Sequence, residues 1–351
     1  MTPTPPGSHV ASKLGLTDRV FAGPRSRRLQ STVEAGLQRV DAALERELRV
    51  ADALADAASR YLYDAGGKRV RPMLALLTAQ LGEGTTDEVV ESATALEMTH
   101  LGSLYHDDVM DAADKRRGVP SAHEVWGNSI AILTGDLLFS RASQIMARRG
   151  DRAIRLQADT FERLVLGQMH ETVGPGEDDD PVEFYLQVLS DKTGSLIAAA
   201  AQVGVIFSGG PEEFEQPMMT FGEKAGVAFQ LLDDVIDLSP DPDETGKVPG
   251  TDLRAGVPTM PYLVLGRRTD AESVALRTRI DEGVAQIAEG ADAALLDEPL
   301  AQLREHEATQ ATLDLAHEWS QQAIDALEPL PRGAVREALT RFAQAVADRS
   351  S

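Results

Sequence analysis

Residues 88–112 read EVVESATALEMTHLGSLYHDDVMDA. The stretch is largely apolar and rich in helix formers until it closes on His106-Asp107-Asp108-Val109-Met110-Asp111. Asp107 and Asp111 are four apart and share one helical face, with Asp108 beside them, so the reading is a helix that delivers three carboxylates to one spot. Phe221 to Leu238 repeats the arrangement, ending in Asp233-Asp234-Val235-Ile236-Asp237 after another apolar run. Like charges at such spacings repel unless something neutralises them. Hard oxygen donors at this density suit Mg²⁺, which keeps several waters and is shared between a few carboxylates and substrate phosphates. One such cluster reads equally well as a solvated helix end. Two, each behind an apolar helix where unneutralised carboxylates would be costly, point to metal. Facing one another, the two helices would frame a cavity with a carboxylate rim and an apolar floor.

Outward from these stretches the helical period continues. Leu37, Val40, Leu44 and Leu48 recur at spacings of three and four with charges between them, and no alternating segment is flanked by an Asn-Gly or Asp-Gly turn. The chain is therefore expected to be all-α. Asp180-Pro181-Val182-Glu183 supplies an N-cap, a proline at the first helical position and a capping-box acid, which predicts a helix from there to about Ser208. Breaks are expected at Gly82-Glu83-Gly84, Arg117-Gly118-Val119-Pro120 and Gly209-Gly210-Pro211, with a long loop over Ser239 to Pro258 of the kind that serves as a lid. The proline-rich opening has no apolar period and reads as a disordered tail, drawn over residues 1–20. With no internal repeat and no linker-like shift in composition, residues 21–351 are expected to form a single domain.

The 351 residues carry a formal charge of −22, from 56 acidic against 34 basic side chains. A field of that sign repels nucleic acid unless a basic face is concentrated somewhere, and no such stripe is visible. It equally opposes binding of diphosphates unless divalent cations convert local carboxylate clusters into anion sites. The absence of Cys excludes disulfides and thiolate metal sites, and with no signal-peptide pattern a cytoplasmic location is the expectation. Glu177-Asp178-Asp179-Asp180 lacks the alternating spacing of a calcium loop and reads as solvated loop plus helix cap. Trp126 and Trp319 read as packing residues.

Cations gather in two places. Gly66-Gly67-Lys68-Arg69-Val70-Arg71-Pro72 sets three of them at a glycine turn just before a helix expected near Pro72, where free N–H groups and the helix dipole attract anions. Asp114-Lys115-Arg116-Arg117 follows directly on the first aspartate cluster.

With these motifs in order, the chain resembles the trans-type polyprenyl diphosphate synthases, in its long-chain branch. The resemblance runs from about Asp64 to Pro261 and includes Lys192-Thr193-Gly194-Ser195, Phe229-Gln230-Leu231-Leu232-Asp233-Asp234, Gly246-Lys247 and Gly250-Thr251-Asp252-Leu253. It implies a helical bundle of the isoprenoid synthase type with a central apolar cavity. It implies Mg²⁺, three ions bridging an allylic diphosphate, held by Asp107, Asp108 and Asp111 on one side and Asp233, Asp234 and Asp237 on the other. By the same resemblance Arg116, Lys192, Thr193, Gln230 and Lys247 meet the allylic substrate, while Lys68, Arg71, His100 and Arg117 meet isopentenyl diphosphate. His106 is not needed as a base, since released diphosphate is the base inferred for the family. Ala255 and Val257 stand where relatives often have Glu and Lys, so a second lysine at the lid is missing.

The implied chemistry is ionisation of an allylic diphosphate such as farnesyl or geranylgeranyl diphosphate, attack by isopentenyl diphosphate and loss of a proton. Short-chain members of the family block the growing chain with an aromatic four or five residues before the first aspartate. Here Ser103 and Gly102 are small, which implies a product of about seven to ten isoprene units, as in quinone side chains such as menaquinone's; geranylgeranyl diphosphate is the alternative. Gly102 can also serve close helix packing. Phe161, seven residues before Gln168 on the same face, is expected to act as the stop or as ordinary core. A class I terpene cyclase would carry an Asn-Ser-Glu type second motif, and a non-catalytic regulatory subunit would have lost a cluster; both clusters are present. The resemblance also implies a homodimer, with transient membrane contact for release of an insoluble product.

Overall fold

A computed structural model of the chain describes residues 16–23, 26–239 and 249–347. In chain order the helices are α1 (Leu16–Val20), α2 (Arg27–Leu48), α3 (Ala53–Asp64), α4 (Val70–Thr78), α5 (Asp87–Met110), α6 (Ala122–Trp126), α7 (Asn128–Arg148), α8 (Asp151–Val173), α9 (Pro181–Leu189), α10 (Ser195–Phe207) and α11 (Glu215–Asp237). They continue with α12 (Thr251–Arg254), α13 (Met260–Gly266), α14 (Ala271–Ala288), α15 (Asp297–Glu305), α16 (Glu307–Asp325) and α17 (Ala334–Ala347). Among the described residues the all-α expectation is met, save for one two-residue antiparallel pair, β1 (Lys115–Arg116) with β2 (Val119–Pro120). Its turn residues Arg117 and Gly118 both have positive φ, 54° and 80°, the requirement of a type I′ turn. Arg-Gly is an unusual way to meet it, so no hairpin signal was legible. The tail drawn to residue 20 is too long: residues 16–20 form α1, and Val20 and Phe21 are buried.

The chain divides into two compact units. The first comprises the described residues to Leu164 with Ser195–Gly222 and Ala326–Phe342. Its centre is α5, packed against α2, α4, α7 and α10. Thr86 caps it by accepting a bond from Val89 N–H at 3.2 Å, and buried residues recur on all its sides from Val89 to Asp108. An amphipathic helix hides one stripe; this one is hidden all round, which is why its polar residues are conspicuous. Where α5 meets α7 the backbones nearly touch. A Cβ on Gly102 would stand 3.2 Å from the Gly135 carbonyl and 3.0 Å from Phe139, and one on Gly135 would strike His106.

The second unit comprises Val165–Gly194, Glu223–Asp325 and the chain from Ala343. Leu238, Leu253, Leu276, Ile280, Leu300 and Leu303 belong to one apolar cluster there. Val182, Leu189, Val227, Leu231, Met260 and Ala316 form another, edged by Tyr185 and Trp319. The cap at Asp180 is as read, its carboxylate accepting from Val182 N–H and Glu183 N–H. The helix predicted from it is interrupted, however. Ser190–Gly194 form a π-helical turn between α9 and α10, and that turn holds Lys192 and Thr193. Single π turns inserted in α-helices occur often at functional positions, and hydrophobic periodicity does not announce them.

Candidate active site

Four guanidinium groups in the first unit, those of Arg69, Arg71, Arg116 and Arg117, act electrostatically on one imidazole, that of His100. Arg69 adopts φ 50° at the N-cap of α4, a left-handed conformation unusual for a residue with a side chain. It pairs with Asp41 at 2.9 Å and with the buried Glu97 at 3.4 Å, and lies over the Tyr63 ring at 4.9 Å. Gly67 makes room, since a Cβ there would fall 2.5 Å from Arg69 Nη1 and 3.0 Å from Arg117 Nη2. Arg117 donates to the carbonyls of Leu62 and Gly66, and burial together with its cationic neighbours brings its pKa down to about 10. Burial also lowers Arg71, against the pull of Glu97, and Arg71 Nε has no hydrogen-bond partner within the protein. His100 is held well below the ordinary histidine range, first by burial and then by Arg71, Arg117, Arg116 and Arg69, so it is neutral at neutral pH. A half-buried cluster of this sign, with a spare donor and only Glu97 at its heart, is built to receive an anion. Lys68 is exposed beside it.

The expected convergence of Asp107, Asp108 and Asp111 needs correcting. Asp107 is half-buried and Asp111 exposed, on the side of α5 that also carries His100 and Ser103. Asp108 is fully buried and turned inward, accepting from Arg116 Nε at 2.6 Å. Burial raises its pKa, and Arg116 opposes the rise. Asp111 forms the C-cap, followed by Ala112 with φ 48°. A helix C-terminus already bears partial negative charge, so carboxylates there are favourable only if a cation joins them.

The second cluster repeats the pattern in the second unit, at the C-terminal end of α11. Asp233 is exposed. Asp234 is 5% exposed and points inward, accepting from the Tyr185 hydroxyl at 3.1 Å and from Met260 N–H at 2.8 Å. Burial pushes its carboxyl up to about 8 despite those two donors, with Asp252 and Asp233 adding to the rise. Asp237 accepts from the Asp252 amide at 3.3 Å, where α12 begins. Lys192 in the π turn pairs with Glu171 at 2.5 Å. Thr193, Gln230 and Gln168 are half-buried in the same unit. Lys247 lies outside the described residues.

Among the described residues no group of three or more His, Asp or Glu side chains forms a metal cage. The donors that are present, oxygen only, few per cluster and standing at helix C-termini, nevertheless fit Mg²⁺, which takes one or two carboxylates and completes its shell with water and phosphate.

For product length the two small residues separate. Ser103 lies on the Asp107 side of α5, its hydroxyl turned back to the His100 carbonyl at 2.9 Å. Gly102 faces α7, so its smallness serves close packing. Phe161 stacks on Phe139, ring centroids 4.5 Å apart, and Phe139 in turn meets His106 edge-on at 5.3 Å. His106 reaches the Ile132 carbonyl at 2.9 Å as a satisfied packing residue.

Several residues that shape the site escaped sequence reading: Asp41, Glu97, Tyr185, Glu171 and Phe139. Glu97 alone left a trace, one turn before His100, and it passes for an ordinary helix former.

An all-helical protein with a guanidinium anion site and paired aspartate clusters on helix ends has the equipment of a diphosphate-handling enzyme. The chain belongs to the polyprenyl synthetase family, whose profile matches residues 52–294. It is 42% identical to the nonaprenyl diphosphate synthase of Mycobacterium tuberculosis over 331 residues, covering 94% of this chain and 95% of that protein. Among solved structures it resembles a polyprenyl synthase from Caulobacter crescentus complexed with calcium and isoprenyl diphosphate, with a TM-score of 0.83 and 29% identity over 97% of this chain and 100% of that one. It also resembles a geranylgeranyl pyrophosphate synthase from Corynebacterium glutamicum in a complex of the same kind, with a TM-score of 0.80 and 37% identity over 94% and 98% of the two chains.

Proposed function

We propose that this chain is a Mg²⁺-dependent trans-prenyltransferase that extends an allylic diphosphate with successive isopentenyl diphosphates to an all-trans product of seven to ten isoprene units, for a quinone side chain. The observation that carries the reading is the guanidinium ring about neutral His100, next to Asp107 on the same side of α5. It offers one diphosphate a cationic seat beside carboxylates suited to the metal of another.

In this reading Arg71, Arg117, Lys68 and His100 bind isopentenyl diphosphate, and a neutral His100 can donate or accept without adding charge. Asp107 and Asp111, and in the second unit Asp233 and Asp237, would hold Mg²⁺, three ions in all, for the diphosphate of the allylic substrate, and the metal would supply charge stabilisation for the leaving group. Asp108 and Asp234 act by bracing Arg116 and the backbone at Met260. Arg116, Lys192, Thr193, Gln230 and Lys247 meet the leaving diphosphate, which is the acceptor for the final proton. Water must be kept from the allylic cation, which asks for an apolar channel below Ser103, with Phe161 as its stop. Residues 21–351 act as one catalytic domain.

Geranylgeranyl diphosphate is the second product reading, supported by the likeness to the Corynebacterium enzyme. The greater identity to a nonaprenyl synthase, with small Ser103, favours the longer product. A homodimer is supported by exposed apolar side chains on α7 (Ile132, Leu133) and along α8 (Ile154, Leu166, Met169). No helix of the described residues is long and apolar enough to cross a membrane; the proposed setting is the cytoplasm, with transient membrane contact for product release.

The test is incubation with farnesyl diphosphate, isopentenyl diphosphate and Mg²⁺, then mass spectrometry of the products. Linear diphosphates of seven to ten units are expected. A geranylgeranyl product selects the second reading, and cyclic hydrocarbon or no turnover overturns both.

A further inference from the structure

Arg69 stands in the middle of the cationic motif, yet its guanidinium is committed to the protein. Asp41 on α2 takes Nε at 2.9 Å, Glu97 on α5 faces Nη1 at 3.4 Å, and the Tyr63 ring of α3 lies under the group at 4.9 Å. The Tyr63 hydroxyl donates to the Asp41 carbonyl at 3.2 Å and closes the ring of contacts. Three helices therefore grip one side chain, and that side chain belongs to the left-handed residue from which α4 departs, φ 50°. Arg71 follows in the first turn of α4. Arg117 converges on the same turn: a Cβ on Gly67 would fall 2.5 Å from Arg69 Nη1 and 3.0 Å from Arg117 Nη2, so two guanidinium groups approach one glycine.

Guanidinium groups gathered this closely in a half-buried site repel one another, and each is disfavoured further by lost hydration. Glu97, 2% exposed, is the carboxylate that answers them. Burial lowers Arg71 and Arg117, and on both Glu97 opposes the fall; burial also pulls Arg69 down, but there Glu97 and then Asp41 outweigh it. A spacing of three puts Glu97 on the side of α5 that carries His100. A buried carboxylate is costly to desolvate, and its negative charge weakens the field that an incoming anion meets. Ordering the cations is a role that offsets both. We propose that Glu97 is a positioning residue for isopentenyl diphosphate: by holding Arg69 it fixes the turn that carries Arg71, and as the buried counter-charge it keeps Arg71 and Arg117 gathered for one diphosphate. The proposal rests on the reading of Arg71 and Arg117 as contacts of that substrate. Two plainer roles predict otherwise. A merely structural ion pair would tie α4 to α5 and change stability while leaving both KM values alone. A mere charge balance would hinder the anion, so its removal would tighten binding.

The experiment reads KM for each substrate, with calorimetric binding of isopentenyl diphosphate in chelator, where metal-dependent sites are silent. Glu97→Gln keeps shape and removes charge. Its KM for isopentenyl diphosphate should rise roughly tenfold while KM for farnesyl diphosphate stays within about twofold of the parent. The calorimetric Kd should rise in parallel. Glu97→Asp, with the charge restored on a shorter stem, should show a rise of only about threefold. In an Arg71→Ala background Glu97→Gln should add less than about threefold, because one of the groups it positions is already gone. An unchanged or lowered KM for isopentenyl diphosphate in Glu97→Gln, equal rises for both substrates, or an undiminished effect in the Arg71→Ala background overturns the proposal. A parent protein that neither elongates farnesyl diphosphate nor binds isopentenyl diphosphate fails the functional reading instead, so the two failures are separable. Should Glu97→Gln not fold by circular dichroism, Glu97→Asp decides alone: a selective rise of about threefold upholds the proposal, and an unchanged or lowered value overturns it.

Discussion

Asp108 and Asp234 hold the same place in two copies of one motif, yet the protein supports them differently. Asp108, in the first unit, is fully buried against the cation Arg116 at 2.6 Å. Asp234, in the second, rests on neutral donors, the Tyr185 hydroxyl and the Met260 amide. Burial raises both carboxyls, but only Asp234, which lacks a cation, is pushed up to about 8. Of the remaining acids, Asp111 and Asp233 are exposed and Asp107 is half-buried, while Asp237 is half-buried and accepts from the Asp252 amide. The motif thus has two parts: acids on the accessible side that suit a metal, and one acid turned inward that ties the helix end to its surroundings by whatever donor is at hand.

Removal of the inward acids should show the contrast most strongly. Asp108→Asn leaves Arg116 without its carboxylate partner; discounted for the partial exposure of Arg116, the loss is about 2 kcal/mol of stability, read by chemical denaturation. Asp234→Asn keeps an acceptor for both of its donors and should cost less than about 1 kcal/mol at pH 7. Equal losses would erase the distinction.

Protonation gives a second separation. The folded Asp234 carboxyl titrates near 8, above the ordinary value of 3.8, so between those pH values the folded protein keeps a proton that the unfolded chain has released. Its contribution to stability is complete below about pH 4 and is lost as pH rises toward 8. In chelator, the melting temperature of Asp234→Asn should therefore fall less than the parent's between pH 5 and pH 8.5. A parallel fall in the two proteins would place the raised carboxyl elsewhere.

Smaller effects concern product length beside the first cluster. Phe161→Ala should lengthen the product by one or two isoprene units at most, and Ser103→Phe should shorten it, both by mass spectrometry. Gly102→Phe should lower stability before it alters length, because its side chain meets α7 rather than the Asp107 side of α5.

Much of this was legible because the helices are locally specified. Asp180-Pro181 marks its cap, and the apolar runs ahead of both clusters mark α5 and α11. The burial of Asp108 was not legible, since spacing on a helix fixes a face but does not say which neighbours occupy it. Gly102 shows the same limit, being small for α7 and not for substrate. The π turn at Lys192 and the Arg117-Gly118 hairpin depend on contacts distant in sequence, Gly167 among them, that no local pattern records. Glu171 and Tyr185 gain their meaning only from Lys192 and Asp234, which lie 21 and 49 residues further along.

The division of labour within each motif is tested most directly by Mg²⁺-dependent elongation of farnesyl diphosphate in Asp107→Ala, Asp233→Ala and Asp234→Asn, each checked for folding by circular dichroism. The account predicts a loss of at least about a thousandfold in the first two, with Asp234→Asn keeping more than about a hundredth of parent turnover. Normal turnover in Asp107→Ala or Asp233→Ala, or abolition in Asp234→Asn alone, would contradict it.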